Sequence, residues 1–297
     1  MLPENQALDQ VIGLIGLPRS GTTIITSFLA VHSEISAVYE PWNASKSDET
    51  SCRVRTIDGF VRRFAPALNG KTTLLIKETS TRRDYPEALG DVLETVSPPL
   101  KRRLIVPLRN PFHVFLSECE ARRKWHGDPD LALSAMVFDQ WAEKTLRSMK
   151  LIAQMVRRFG ALFLSYECFV EKPPVRMALM AELGLPYEPA QDAYERHVRR
   201  RGLRGDRSIS KNPGPISIEP VERRNLEAAQ VQPLISSANR YMEILRLAKL
   251  TSAWPETGIA TGYEFPQFSK AFGVVIFTLL RNVFEAPEFL EFIQGFT

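Results

Sequence analysis

The sequence predicts a three-layer α/β fold, a central parallel sheet flanked by helices, with a helical tail at its C-terminal end. Three observations lead there. From residue 11 to residue 183, short apolar runs alternate with longer segments of helical periodicity, the pattern of strands joined by crossover helices. The first apolar run, V-I-G-L-I-G-L, closes on a Pro/Gly turn and passes directly into a helical segment. The 297 residues, 44% apolar and 24% charged, are enough for one large domain with a buried core, or for a domain with an appendage.

Residues 11–17 read as a buried parallel strand, because the run is apolar without alternation and ends at a turn signal. A helix follows over 20–31, then a strand over 37–40 closed by Pro41. Residues 53–65 are expected to be helical, 73–77 (T-L-L-I-K) a strand and 88–96 a helix. The run R-L-I-V-P-L, 103–108, reads as a strand despite Pro107. Pro111 suits a first helical position, so a helix is expected over 112–125. One long helix is expected over 131–159, a strand over 162–166, and a helix over 174–183 stopped by Gly184 and Pro186. Residues 196–215 are basic and rich in Gly and Pro, hence a loop, and 219–250 are helical. The division expected is a domain over 1–250 and an aromatic-rich helical extension over 251–297, packed on or near it.

The net charge of +4 is mildly basic. It suits an anionic ligand but lacks the dense basic stripe of a nucleic-acid binder. Cys52, Cys119 and Cys168 have no metal-ligand spacing, and their odd number argues against a disulfide framework. A reducing compartment, the cytoplasm, is the expected location. The first apolar run is already the first strand, so no leader is read. The apolar stretch 271–280 is about half the length of a membrane span, so no transmembrane segment is expected.

Gly16 and Gly21 have the spacing of a phosphate loop, but Thr22 stands where the NTPase lysine would be, and Arg19 lies inside the turn. A strand, a glycine turn and a helix N-terminus gather backbone N–H groups and positive dipole at one point. Pro18, Arg19, Ser20, Gly21, Thr22 and Thr23 would line such a cradle, with Arg19 offering a fork of donors. The neighbouring strand that would present a magnesium carboxylate in an NTPase instead ends in Arg109-Asn110. A cation there cannot hold magnesium but can hold a second phosphate. Ser117, eight residues on, could face the same oxygens, or it packs while Asn110 caps the helix.

P-R-S-G-T-T after the first strand, with R-N-P-F-H-V-F-L-S in mid-chain, resembles the sulfotransferases that use 3′-phosphoadenosine-5′-phosphosulfate (PAPS). The resemblance runs from about residue 11 to residue 215 and implies a phosphate-loop fold. It implies that the first loop, with Arg19, Ser20, Gly21, Thr22 and Thr23, holds the 5′-phosphosulfate. Arg109 and Ser117 would hold the 3′-phosphate. The segment Arg200-Arg201-Gly202-Leu203-Arg204-Gly205-Asp206 is similar to a third family element, R-K-G-x-x-G-D, with arginine for lysine. The segment S-Y-E-C-F-V-E-K-P resembles the family's core strand and turn, a structural feature. PAPS as donor, 3′,5′-adenosine bisphosphate (PAP) as product and no metal requirement follow from the resemblance. Arg19 stands where soluble small-molecule members have lysine. Arginine there is similar to carbohydrate-modifying and bacterial members, which implies a hydroxyl acceptor, with an amine as the lesser alternative, on a sugar, lipid or small metabolite.

Glu40, ending S-A-V-Y-E just before Pro41-Trp42, should emerge at the carboxyl edge of the sheet, where ligands bind. Related sugar sulfotransferases place a glutamate base there, so Glu40 is the expected general base, or else a strand-end carboxylate paired with an arginine. Lys77 either reaches the bridging oxygen or an anionic acceptor, or forms an exposed strand-end pair with Glu78. His32 and His113 read as surface or capping residues. Trp42 and Trp125 either stack on a ligand or pack in the core. The aromatic tail packs on the core, makes a homodimer contact, or meets a lipophilic acceptor or surface. A kinase or nucleotide hydrolase, and a non-catalytic PAPS- or PAP-binding protein, are the alternatives.

Overall fold

The computed structural model describes residues 8–43, residues 53–194 except 69, 81, 83, 110, 126, 130 and 132–134, and residues 259–262. In chain order these form β1 (Gln10–Gly16), α1 (Thr22–Val31), β2 (Ile35–Tyr39), α2 (Ile57–Leu68) and β3 (Thr73–Thr79). Next come α3 (Asp84–Glu94), β4 (Lys101–Leu108), α4 (Pro111–Trp125) and α5 (Ala135–Phe159). β5 (Ala161–Ser165), α6 (Tyr166–Glu171), α7 (Pro173–Glu182) and, far along the chain, β6 (Ile259–Gly262) complete them. A 3-10 turn occupies Pro189–Ala193.

The sheet order is β2-β3-β1-β4-β5-β6. Its first five strands are parallel, and β6 runs antiparallel to β5. β1 is central and buried along its whole length, which is why its sequence shows no alternation. Its side chains divide by parity. Val11 and Ile15 join one core with Ile76, Val106, Leu89 and Met155, beneath α3 and α5. Ile12 and Leu14 join another with Leu75, Ile105, Phe28 and Leu179, beneath α1 and α7. Two cores on opposite faces of one sheet make the three layers expected from the sequence.

Pro107 is tolerated because β4 pairs with β1 only as far as Ile105; beyond that it pairs with β5 alone, so no ladder bond on the β1 side needs the missing N–H. Several boundaries differ from expectation. β2 ends at Tyr39, leaving Glu40 outside the strand, and β3 continues to Thr79. α3 starts four residues early, with Asp84 and Glu87 in a first turn that favours acids. β5 ends at Ser165, whose hydroxyl accepts the Cys168 amide and caps α6, so residues 166–171 are a helix rather than strand and turn. Residues 259–262, expected in a separate extension, add an edge strand to the main sheet. The basic segment 196–215, with Arg200, Arg201 and Gly202, the expected helix 219–250 and the aromatics 265–296 lie outside the described residues.

Candidate active site

The carboxyl ends of β1, β3 and β4 converge, and the loop after β1 sits among them. Within it Ser20 turns back on Leu17, whose carbonyl accepts both the Ser20 amide (3.1 Å) and hydroxyl (2.7 Å). Arg19 and Gly21 both have positive φ, 68° and 92°, and such left-handed residues in a tight turn make a concave nest of N–H groups. Gly21 is the N-cap of α1; no side chain caps that end, and its first turn holds no acid. The positive end of the helix is therefore left for an anion from outside. Gly21 must be glycine: a β-carbon there would lie 2.0 Å from the Tyr166 ring. Thr22 and Thr23, both buried, open the helix behind it.

Arg19 ties this loop to the next strand end. Its Nε donates to Ser117 Oγ on α4 at 3.0 Å, and Arg109 Nη1, just past β4, donates to the Arg19 carbonyl at 2.8 Å. The Arg109 guanidinium lies 4.6 Å from the centre of the Tyr166 ring. Tyr166 is thus packed between Gly21 and Arg109, at the first turn of α6. Sequence reading quoted Tyr166 inside S-Y-E-C and gave it a structural role only. It missed the position because the contact depends on the absent Gly21 side chain, far away in sequence.

The third group is at the ends of β2 and β3. Lys77 Nζ donates to Glu40 Oε1 in a buried ion pair, with side chains 1% and 4% exposed. The Glu40 amide donates to the Lys77 carbonyl at 2.8 Å, so backbone and side chains join the same two residues. Asn43 Nδ2 donates to Glu40 Oε2 at 3.2 Å, and Tyr85 OH donates to Asn43 Oδ1 at 3.4 Å. Glu40 has a φ of 46°. Among the described residues Arg19 and Glu40 are the two non-glycine positions with positive φ, one following β1 and the other following β2 at the carboxyl edge of the sheet.

Two expectations are corrected here. Lys77 and Glu78 are not an exposed strand-end pair: both are buried, and Lys77 pairs with Glu40. Burial pushes the Glu78 carboxyl up to about 7, with the Glu40 charge adding to it; the Thr79 and Trp42 amides and Lys77 pull the other way. Of the two readings of His32, the capping one is found and the surface one is not. It is fully buried at the C-cap of α1; its Nδ1 accepts the Glu34 amide at 3.1 Å, which leaves Nε2 to donate to the Pro186 carbonyl at 2.9 Å. Trp42 packs on Phe60, 5.7 Å between ring centres, and donates to the Val54 carbonyl, so it is a core residue. Ser80 donates twice to the Gly16 carbonyl and accepts from Ser148 of α5, locking the ends of β1 and β3 beside the loop.

No family model and no curated protein matches the sequence. Solved structures similar to the chain include two sulfotransferases. One is the sulfotransferase domain of the Synechococcus PCC 7002 olefin synthase, at 16% identity and a TM-score of 0.47, over 81% of this chain and 97% of that one. The other is mouse sulfotransferase SULT7A1 in complex with PAP, at 13% identity and a TM-score of 0.48, over 86% of this chain and 92% of that one. Among the described residues, no helix is long and apolar enough to cross a membrane.

Proposed function

We propose that this chain is a PAPS-dependent sulfotransferase whose acceptor is a hydroxyl of a carbohydrate, lipid or small metabolite. The observation that supports this reading best is the position of Arg19. Its left-handed backbone helps form the nest at the open end of α1, while its guanidinium and carbonyl meet Ser117 and Arg109. Two anion-favouring ends therefore adjoin, as a ligand with a phosphosulfate and a separate phosphate requires. The donor set fits such a ligand: helix N-terminal amides with no competing cap, and two arginines.

Bound PAPS would supply a sulfuryl group on a good leaving phosphate. The chain's part is positioning and charge stabilisation. Arg19 and the amides from Ser20 to Thr23 would meet the charge that grows on the leaving phosphate oxygen. Arg109 and Ser117 would fix the far phosphate, with Tyr166 holding the Arg109 plane. Glu40 would take the acceptor proton. Lys77 would orient Glu40 and lie beside the bridging oxygen. Arg200, Arg201 and Gly202 belong to this reading through their motif alone. The extension from residue 251 is proposed to complete the same domain, since its residues 259–262 already close the sheet edge.

Incubation with sulfur-labelled PAPS and a panel of sugar, lipid and phenolic acceptors tests the proposal. Label appearing on an acceptor, dependent on Glu40, supports it. Binding of PAPS without transfer to any acceptor would favour a non-catalytic binding protein instead.

A further inference from the structure

Glu40 lies one residue beyond the end of β2. Its φ of 46° is far from that of a strand, so strand alternation no longer sets the direction of its side chain. The turn that follows takes over. The Asn43 amide donates to the Glu40 carbonyl at 3.1 Å and closes the turn. The Asn43 side chain reaches back as well, and its Nδ2 donates to Glu40 Oε2 at 3.2 Å. Lys77 donates to the other oxygen, Oε1. The carboxylate is thus held at both oxygens, by one donor from β3 and one from its own turn.

The chemistry of the groups fixes which way the Asn43 amide faces. An ionised carboxylate only accepts, so the amide nitrogen points to it; a flipped amide would set oxygen against oxygen. The amide oxygen therefore points away, and there Tyr85 OH donates to it at 3.4 Å. Tyr85 comes from the first turn of α3, far from Asn43 in sequence. Its ring is buried in the core on the α3 face of the sheet, which gives the hydroxyl a fixed place. Asn43, half-buried, bridges a buried tyrosine and a buried carboxylate. Hydrogen bonds donated to a carboxylate favour its ionised form, and a base must meet its proton in a defined geometry.

We propose that Asn43 and Tyr85 are positioning residues for Glu40: Tyr85 orients the Asn43 amide, and the amide keeps the carboxylate ionised and aimed for proton transfer. This rests on the reading of Glu40 as the base. The proton passes from the acceptor hydroxyl to the Glu40 carboxylate as the new oxygen–sulfur bond forms and the bond from sulfur to the leaving phosphate oxygen breaks. Asn43 and Tyr85 keep their own protons throughout.

Asn43→Ala should lower kcat by about tenfold or more, the worth of one hydrogen bond to a charged group. The acceptor KM and PAP affinity should stay as in wild type. Tyr85→Phe keeps the ring in place with Arg82 over it and should lower kcat by about threefold, the worth of a neutral hydrogen bond. In the double variant kcat should equal that of N43A alone, because the tyrosine acts through the amide. Effects that multiply in the double variant, an unchanged kcat, or a loss confined to KM or PAP affinity would overturn the proposal. If N43A does not fold, NMR of nitrogen-15-labelled wild type and Y85F replaces it. The Asn43 side-chain amide resonances should move on loss of the hydroxyl, and resonances that stay in place overturn the proposal. This measurement needs neither donor nor acceptor. Wild type that transfers to no acceptor would count against the PAPS reading, while the resonances still decide whether Tyr85 orients Asn43.

Discussion

Lys77 and Glu40, 37 residues apart, meet as a buried ion pair that the backbone also joins, the Glu40 amide donating to the Lys77 carbonyl. The pair sits near the carboxyl ends of two neighbouring parallel strands. Removing one partner leaves the other charge buried. Glu40→Ala and Lys77→Met are each expected to destabilise the fold by about 3–5 kcal/mol. Glu40→Gln keeps a hydrogen-bond acceptor for Lys77 and should be milder in denaturant unfolding, yet lower the transfer rate by about a hundredfold or more. Equal transfer by E40Q and wild type would remove Glu40 from the base role.

Gly21→Ala tests the loop. The backbone is left-handed there and the added methyl would meet the Tyr166 ring. A cost of about 1–3 kcal/mol is expected from the backbone alone, and displacement of Tyr166 should disturb Arg109 as well. Chemical denaturation and PAP titration should both register the change. A variant as stable and as PAP-competent as wild type would show that the ring is not held against Gly21.

Tyr166→Leu keeps the bulk and removes the aromatic face under Arg109. The cation–π contact is worth about 0.5–2 kcal/mol, so PAP affinity should weaken by up to about thirtyfold. Isothermal titration measures it, and unchanged affinity would confine Tyr166 to packing.

Stability should depend on pH through Glu78. Its carboxyl moves from an ordinary 4.5 up to about 7 on folding, chiefly through burial. Between those values the folded chain holds a proton that the unfolded chain has released. The contribution is therefore fully present below about 4.5 and is lost as pH rises through about 7, on the order of 3 kcal/mol in all. Denaturation of wild type and E78Q at matched pH isolates this part from that of other carboxylates.

The tight turn between β1 and α1 was legible because its information is local: Gly16, Arg19, Gly21 and Thr22 follow one strand within a few residues. Arg109 was legible for a related reason, since a cation stands at a strand end where a metal carboxylate is expected. The pairing of Glu40 with Lys77 was not, because it depends on the β2–β3 register, which sets Tyr39 opposite Lys77. Glu78 read as exposed because strand ends usually meet solvent; here it is fully buried, as are Trp42 and Tyr85. The edge strand at 259–262 was missed because four residues beyond a long basic segment carry little periodicity to read.

The central claim is that two adjoining anion-binding ends hold a nucleotide bearing separate phosphates. Thermal unfolding with PAP in the presence of EDTA, alongside ATP with magnesium, tests it most directly. At about a hundred times its dissociation constant PAP should stabilise the chain by about 2.7 kcal/mol, and Arg109→Ala should abolish the shift while remaining folded. Stabilisation by ATP and magnesium alone, with none from PAP, would contradict the account and favour a phosphoryl-transfer enzyme.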